Sequence, residues 1–224
     1  MHLKSAGAVS PCSRSLNLLF LFTILLAAVF PLMAQKPPVE KAYTIHYEMQ
    51  GPHPETGETI AYAKKVLYTS PSSGLSLSKA VKSPEGILIP KPVFDEHIYF
   101  DWKQKKTIAL HYFQDGDTLS VEQSFEQKSK TPGEATKEIL GYLCHKAKVD
   151  CPMGPMEVWY TTVLGVKGGA NFLGLGLGLI LEVGNFKAVK IEPGIPKDIS
   201  LDYPEKVGKL VNDQQLMQKI FAVQ

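Results

Sequence analysis

Residues 106–125 read KTIALHYFQDGDTLSVEQSF, and their pattern indicates the fold class. Two runs in which apolar and polar residues alternate lie on either side of Asp115, Gly116 and Asp117. Alternation with a period of two is typical of a strand with one buried face, and an Asp-Gly pair between two such runs is a strong hairpin signal. The stretch therefore predicts two antiparallel strands joined by a tight turn, which Asp117 helps to close.

Similar runs recur on both sides of this hairpin. They predict further strands at 43–50, 60–69, 75–78, 96–102, 138–149, 156–166, 173–181 and 186–192, with a loop at 83–93. Strands that recur every eight to twelve residues or so, separated by turn residues, are typical of antiparallel sandwiches and barrels. The sequence therefore predicts a mainly β protein, with one curved antiparallel sheet over residues 43–192 that forms a sandwich or an incomplete barrel.

The glycines of NFLGLGLGLILEVG, residues 171–184, exclude a nucleotide site. Gly174, Gly176 and Gly178 lie at offsets 0, 2 and 4, whereas a dinucleotide fingerprint needs 0, 2 and 5 and a P-loop needs a Lys followed by Ser or Thr. Leucines alternate with the glycines, so an extended strand would have one apolar face and one bare face. We expect the bare face to admit another strand, an aromatic ring or a ligand close to the backbone.

Trp159 and Tyr160 are the aromatic candidates for that bare face. They are adjacent on a predicted strand and therefore point to opposite sides of the sheet. We expect Trp159 to enter the core, and the alternative is that it forms the wall of a ligand site. Trp159, Tyr160, Gly174, Gly176 and Gly178 are together the predicted ligand-binding residues.

The C-terminal segment, residues 193–224, departs from the strand pattern. Val207, Leu210, Val211 and Phe221 follow helical spacing, and Pro204 suits a first helical turn. We predict an amphipathic helix that packs on the sheet, and the alternative is a helix that docks on a partner protein.

The N-terminus predicts export. Lys4 and Arg14 precede an uncharged apolar run from Leu16 to Ala34, as in a signal peptide over residues 1–34. The run is also long enough for an uncleaved membrane anchor, but we prefer cleavage after Ala34 because a polar linker, residues 35–42, follows. The predicted location is the periplasm, the outer membrane surface or the extracellular space, with membrane contact only if the signal is retained.

The charge balance excludes nucleic acid as a partner. Of 24 basic residues, Lys4 and Arg14 lie in the signal segment, so 22 lysines and 22 acidic residues remain and no arginine is left. Nucleic-acid binding needs a basic excess, and bidentate phosphate recognition needs the guanidinium group.

Cys144 and Cys151 form a candidate disulfide, because the predicted setting is oxidising. The bridge conflicts with the predicted strand through Cys144, since seven extended residues span roughly 23 Å, so it requires the strand to bend back before Asp150. The alternative is a buried apolar Cys144. His145 cannot serve as its base, because neighbours on a strand face opposite ways.

No other catalytic or metal-binding pattern is present in the sequence. His46, His97, His111 and His145 lie on four separate predicted strands without metal-ligand spacing. The acidic pair at Asp95 is typical of a loop. We therefore predict no metal, no cofactor and no enzyme activity.

Three elements resemble a known family. Gly141, Tyr142, Cys144 and Ala147 match a Gly-Tyr-x-Cys-x-x-Ala element, and a Trp-Tyr-Thr strand follows at residues 159–161. Residues 178–180 match the end of the motif that names the GLPGLI family of exported Bacteroidota envelope proteins. Leu177 stands where that family has Pro, which alters the local turn. The resemblance implies an exported envelope protein of uncharacterised function, with a strand order similar to that of periplasmic lipoprotein carriers.

The functional hypothesis from the sequence is a non-catalytic binding or carrier module of the cell envelope. The barrel-like strand pattern and the leucines of 173–181 favour a lipid or another apolar small molecule as the ligand. The alternative is a structural or assembly factor that pairs with another envelope protein through its helix or a sheet edge. A third class, an enzyme using Cys144, is the least favoured.

Overall fold

The computed structural model describes residues 41–79, 81, 94–124, 130–150, 154–170, 176–204 and 207–222. The predicted signal segment, the linker up to residue 40 and the predicted loop at 83–93 lie outside these residues. The strands are β1 (Tyr43–Pro52), β2 (Thr59–Thr69), β3 (Ser73–Lys79), β4 (Phe94–Asp101), β5 (Lys106–Phe113), β6 (Thr118–Ser124), β7 (Lys130–Ile139), β8 (Tyr142–Val149), β9 (Met156–Thr161), β10 (Leu179–Val183), β11 (Phe186–Pro193) and β12 (Lys209–Leu210), and the helix is α1 (Asp213–Ala222).

All twelve strands belong to one sheet, in the order β12-β6-β5-β4-β3-β2-β1-β11-β10-β9-β8-β7. Every neighbouring pair is antiparallel except β12 and β6, which are parallel. The prediction of a mainly β protein with one curved antiparallel sheet and a C-terminal helix is confirmed.

The Asp-Gly hairpin forms as predicted between β5 and β6. Gly116 has a φ of 90°, a left-handed conformation that glycine adopts without steric cost. The backbone N–H of Phe113 donates to the carbonyl of Asp117 at 2.8 Å, and the N–H of Asp117 donates to the Asp115 carboxylate at 3.1 Å. Asp117 thus closes the turn.

The single strand predicted over 138–149 is wrong, because a turn divides it into β7 and β8. Leu140 and Gly141 have φ values of 53° and 82°, and two successive positive values are the signature of a type I′ hairpin turn. Leucine rarely adopts this conformation, so only Gly141 indicates the turn in the sequence.

The strand predicted over 173–181 is also wrong in its first part. Gly176 and Gly178 have φ values of 89° and 148° in a turn, and β10 starts only at Leu179, while residues 171–175 lie outside the described part of the chain. Leu179, Ile180 and Leu181 are all buried, so both faces of this strand are covered and no bare glycine face remains in the part described.

The C-terminal helix begins later than predicted, at Asp213 instead of near Pro204. Residues 209–210 pair with β6 instead. Asn212 then caps the helix: its side chain accepts the Gln215 N–H at 2.9 Å while the Gln215 side chain accepts the Asn212 N–H at 3.1 Å, a reciprocal capping box. No helix in the described part of the chain is long and apolar enough to cross a membrane.

Each of the two faces of the sheet packs against a different segment. We call the side bearing Ile45, Leu67 and Ile98 the core face, and its largest buried cluster includes Val166 and Ala170 from the connection between β9 and β10. On the same face, Leu216 and Ile220 of α1 pack against β5 and β6. The opposite side, the reverse face, packs Val66, Tyr68 and Leu75 against Ile195, Ile199 and Leu201.

The two edges of the sheet are unlike each other. The β12 edge consists of two residues, whereas β7 is a full-length edge strand whose pairing with β8 shifts register between Pro132 and Thr136. Proline cannot donate a ladder hydrogen bond, so edges and bulges are where it is tolerated within a sheet.

Candidate functional site

The candidate site lies on the core face where β7 to β10 run side by side. Residues directly opposite one another on paired strands point to the same side. Lys137 is opposite Cys144, and Lys146 is opposite Trp159. A bulge in β10 between Ile180 and Glu182 places Glu182 opposite Trp159 on its other side. Without this extra residue, Glu182 would point to the reverse face.

Trp159 lies at the centre of this group, and the ammonium groups of two lysines lie over its indole ring. The ammonium of Lys137 lies 4.2 Å from the ring centroid and that of Lys146 lies 5.7 Å away, both within cation–π range. Lys137 also donates to Glu182 at 2.8 Å, and Lys146 pairs with Glu157 at 2.8 Å. We call these five side chains the Trp159 cluster.

The Trp159 cluster is partly open to solvent. The side chains of Lys137 and Glu182 keep 34% and 22% of their exposure, and those of Lys146 and Glu157 keep 28% and 51%. The hydrogen bond from Lys146 lowers the pKa of Glu157, so this carboxylate is ionised at neutral pH. The cluster therefore presents a half-buried aromatic ring framed by charged groups that already have partners.

The predicted ligand residues do not all come together. Trp159 is half-buried and packs against the main core cluster, whereas Tyr160 points to the reverse face, near Ile180 and Val183. A Cβ atom at Gly178 would lie 2.5 Å from the Thr161 carbonyl oxygen, so this glycine allows close packing against β9. Gly176 lies in the preceding turn, and Gly174 lies outside the described residues.

The structure describes only one of the two predicted disulfide partners. Cys144 is free and fully buried, burial raises the pKa of its thiol, and His145 is exposed on the other side of the strand. Cys151 lies outside the described residues, so the bridge stays a prediction. The bend that it requires is not seen, because β8 runs to Val149.

The strand histidines are held by separate neighbours. His46 lies 2.8 Å from Glu192, while His97 and His145 contact tyrosine rings and His111 contacts Phe94. Within the described residues, no three His, Cys, Asp or Glu side chains are grouped to hold a metal ion.

Sequence reasoning missed the charged residues of the site. Lys137, Lys146, Glu157 and Glu182 lie on four strands, and only the register and the bulge bring them to one ring. The interpretation of Asp95 and its acidic neighbour as loop residues is wrong for Asp95: β4 begins at Phe94, two residues before the strand predicted over 96–102, and Glu96 forms an ion pair with Lys65.

Comparison with known proteins identifies the family. The family model described as "N-glycanase peptide, N-terminal domain" matches residues 67–204, which is more than half of the chain. The chain belongs to this family. No curated protein matches the sequence at a significant level.

Two solved structures of PNGF-II, in space groups C2 and P21, have the same fold as this member of the N-glycanase N-terminal domain family. Each superposes with a TM-score of 0.61 at 21% sequence identity over 82% of this chain. The chain spans about a third of their length, 33% and 34% respectively. The likeness at this identity establishes the fold, and the GLPGLI resemblance stays a prediction.

The family match corrects the functional predictions from the sequence. The predictions of a lipid carrier, of an assembly factor and of no enzyme activity are wrong. The family model that matches the chain is described as an N-glycanase domain. The structure supplies the physical reason for the first correction: Leu179 and Leu181 pack against Val166 and Ala170 in one buried cluster, where the carrier hypothesis needed them to line a cavity.

Proposed function

We propose that this protein takes part in the enzymatic processing of N-linked glycans, and that the β domain contributes contacts to the carbohydrate of the substrate. The observation that carries the proposal is the family match over residues 67–204. The PNGF-II fold likeness over most of the chain is consistent with it.

The Trp159 cluster supports carbohydrate contact through its chemistry. An indole ring offers a broad apolar face together with a polar edge, and sugar rings present apolar C–H faces bordered by hydroxyl groups. Lys137 and Lys146 lie over the ring, and each forms an ion pair with a glutamate, Glu182 and Glu157 respectively. Ammonium groups donate and carboxylates accept, so both hydrogen-bonding roles of a hydroxyl group have a partner here.

The paired charges favour a neutral glycan. Each lysine of the cluster has its own glutamate at 2.8 Å, so the cluster has no net charge to attract an anion. The apolar run from Leu16 to Ala34 also suits this role, since an exported protein meets secreted glycoproteins.

Glycopeptide processing and binding test the proposal directly. The full chain is incubated with a peptide that carries one neutral N-linked glycan, released glycan is measured by mass spectrometry, and binding is measured by calorimetry. We expect glycan-dependent binding, with an affinity at least about tenfold weaker for Trp159→Ala, which corresponds to about 1.4 kcal/mol.

Phe221→Ala provides the matched control, because Phe221 is an aromatic residue with 67% exposure on α1, away from the cluster. Its binding should equal that of the wild type. If the wild type neither releases the glycan nor distinguishes the glycopeptide from the same peptide without its glycan, the proposed function is wrong. Equal binding by Trp159→Ala would remove the cluster from the site.

A further inference from the structure

A second polar group lies on the core face, across β2 to β5. Glu96 and His111 are directly opposite each other on β4 and β5, and Ser76 of β3 is opposite Ile98, two residues along β4 from Glu96. Lys65 reaches over β3 from β2 and donates to Glu96 at 2.8 Å. Because opposite residues share a face, all four side chains point to the side that holds the main core. We call them the Glu96 cluster.

Two members of the Glu96 cluster are buried without a hydrogen-bond partner. His111 is 4% exposed and Ser76 is 1% exposed. The Nδ1 atom of His111 and the Oγ atom of Ser76 have no partner among the described residues. Buried polar groups are nearly always paired, so two unpaired groups beside one ion pair need an explanation.

The cluster reaches solvent at one end. Ser78, on the same face and directly opposite Lys65, is exposed. The side chains of Lys65 and Glu96 keep 15% and 19% of their exposure, while Ser76 is closed off. Solvent exposure therefore decreases from Ser78 at the surface to Ser76 in the interior.

The electrostatics select an uncharged ligand. The charges of Lys65 and Glu96 cancel across 2.8 Å. Burial lowers the pKa of His111, with Glu96 opposing the shift and Lys65 adding to it, so its ring is neutral at pH 7. A neutral imidazole has one N–H donor and one acceptor nitrogen, and a serine hydroxyl has both roles. An anion or a cation would find no net counter-charge, whereas a hydroxyl or amide group would find partners of both kinds.

Phe94 supplies an apolar wall beside these groups. Its ring meets His111 edge to face, with centroids 4.8 Å apart and an interplanar angle of 90°. An aromatic ring beside neutral hydrogen-bonding groups is the combination found in pockets for small polar ligands.

We propose that the Glu96 cluster is a second carbohydrate contact on the core face, in which Ser76 and His111 bind separate neutral hydroxyl or amide groups of a glycan. The proposal rests on the proposed function for the choice of a carbohydrate, and it adds a site with its own residues. Bound sugar would satisfy the two polar atoms that have no partner among the described residues.

Calorimetry with the full chain tests the proposal, using the same neutral N-linked glycopeptide and inorganic phosphate as an anionic comparison. Ser76→Ala and His111→Phe should each weaken glycopeptide binding at least about tenfold, and phosphate should not bind at the cluster. His97→Phe is the matched control, since His97 lies on β4 but points to the reverse face. Thermal melting confirms that each variant is folded.

A second measurement covers any variant that fails to fold. The side-chain nitrogen resonances of His111 in the wild type, assigned by through-bond and through-space NMR correlations, should shift when the glycopeptide is added, whereas those of His97 should not. Binding unchanged in both folded variants, or unshifted His111 resonances at saturation, would overturn the second site. That result leaves the proposed function standing if Trp159→Ala still weakens binding, whereas a wild type that ignores the glycan overturns the proposed function itself.

Discussion

The Trp159 and Glu96 clusters share one face of the sheet and the same chemical core, a lysine paired with a glutamate at 2.8 Å. They differ in their surroundings. Lys137 and Glu182 are partly open, at 34% and 22% exposure, and Lys137 lies on an indole ring. Lys65 and Glu96 are more enclosed, at 15% and 19%, and adjoin the unpaired atoms of His111 and Ser76.

The role of an ion pair depends on its environment. In high dielectric a pair contributes little to stability and mainly orients its side chains. In an enclosed setting each charge depends on the other, because neither can recover its hydration. The open pair therefore positions Trp159, while the enclosed pair keeps a polar site electrically neutral inside the core.

Removing one lysine from each pair should produce the largest contrast. Lys65→Met leaves Glu96 without its partner in an enclosed site, and we expect a loss of about 2 to 3 kcal/mol in the free energy of unfolding. Lys137→Met, the matched control, should cost less than about 1 kcal/mol. Urea unfolding of both variants measures the two values, and equal losses would show that the environments do not differ as described.

A substitution at Gly178 should perturb the Trp159 cluster through the backbone of β9. Gly178→Ala places a Cβ atom 2.5 Å from the Thr161 carbonyl oxygen, at a φ of 148° that alanine rarely adopts. We expect a loss of about 2 kcal/mol in unfolding free energy and a change in Trp159 fluorescence, because the end of β9 must shift. Gly116→Ala has open space around it and should leave the fluorescence unchanged. An unaltered emission spectrum in Gly178→Ala would contradict this coupling.

Ser76→Ala should stabilise the unliganded protein by about 1 kcal/mol, since it removes a buried hydroxyl that has no partner among the described residues. Thr69→Val is the comparison with the opposite sign: the Thr69 hydroxyl donates to the Lys167 carbonyl at 2.7 Å, and its loss should cost about 1 kcal/mol. Melting temperatures of the two variants report the signs. A destabilised Ser76→Ala protein would mean that the hydroxyl has a partner in solution.

The smallest expected effect is a pH dependence of stability that differs between the Glu96 cluster and the Trp159 cluster. Burial lowers the folded-state pKa of His111 below its usual value of 6.5, with Glu96 and Lys65 acting in opposite directions. The unfolded chain therefore binds more protons just below pH 6.5, so the contribution of His111 to stability is complete above this pH and is lost as the pH falls. In the Trp159 cluster, the hydrogen bond from Lys146 lowers the pKa of Glu157 below 4.5. The contribution of Glu157 to stability is therefore lost only in stronger acid.

Urea midpoints at pH 7 and pH 5 measure this dependence. The urea midpoint of the wild type should be lower at pH 5 than at pH 7. The decrease should be smaller for His111→Phe. Glu157→Gln should keep the wild-type difference over this range. The same fall in His111→Phe as in the wild type would assign the dependence to other groups, such as His97, whose pKa is also lowered by burial.

The sequence was sufficient for the fold class, because strand patterns and turn residues are local. Asp115 and Gly116 specify one hairpin completely, and the structure has it where predicted. The turn at Leu140 was missed since leucine does not favour a positive φ. The helix start was misplaced because Val207, Leu210 and Val211 have helical spacing, while the capping box at Asn212 decides the actual boundary.

The candidate site was predictable only in its aromatic residue. Trp159 stands out in the sequence as a large amphipathic side chain on a strand. Glu182 could not be assigned to it, since its side depends on a bulge that breaks the alternation on which sequence reasoning relies. The Glu96 cluster depends on the register of four strands, which no local pattern contains.

The β7 edge bears on how this protein behaves at high concentration. A long strand at the margin of an open sheet is a template on which a second molecule can add a strand. Here Pro132 interrupts the row of donors, the register shift bends the strand, and charged side chains such as Glu134 and Lys137 accompany it. These features hinder strand addition along the first half of β7, so they oppose polymerisation of the open sheet through that margin at high protein concentration.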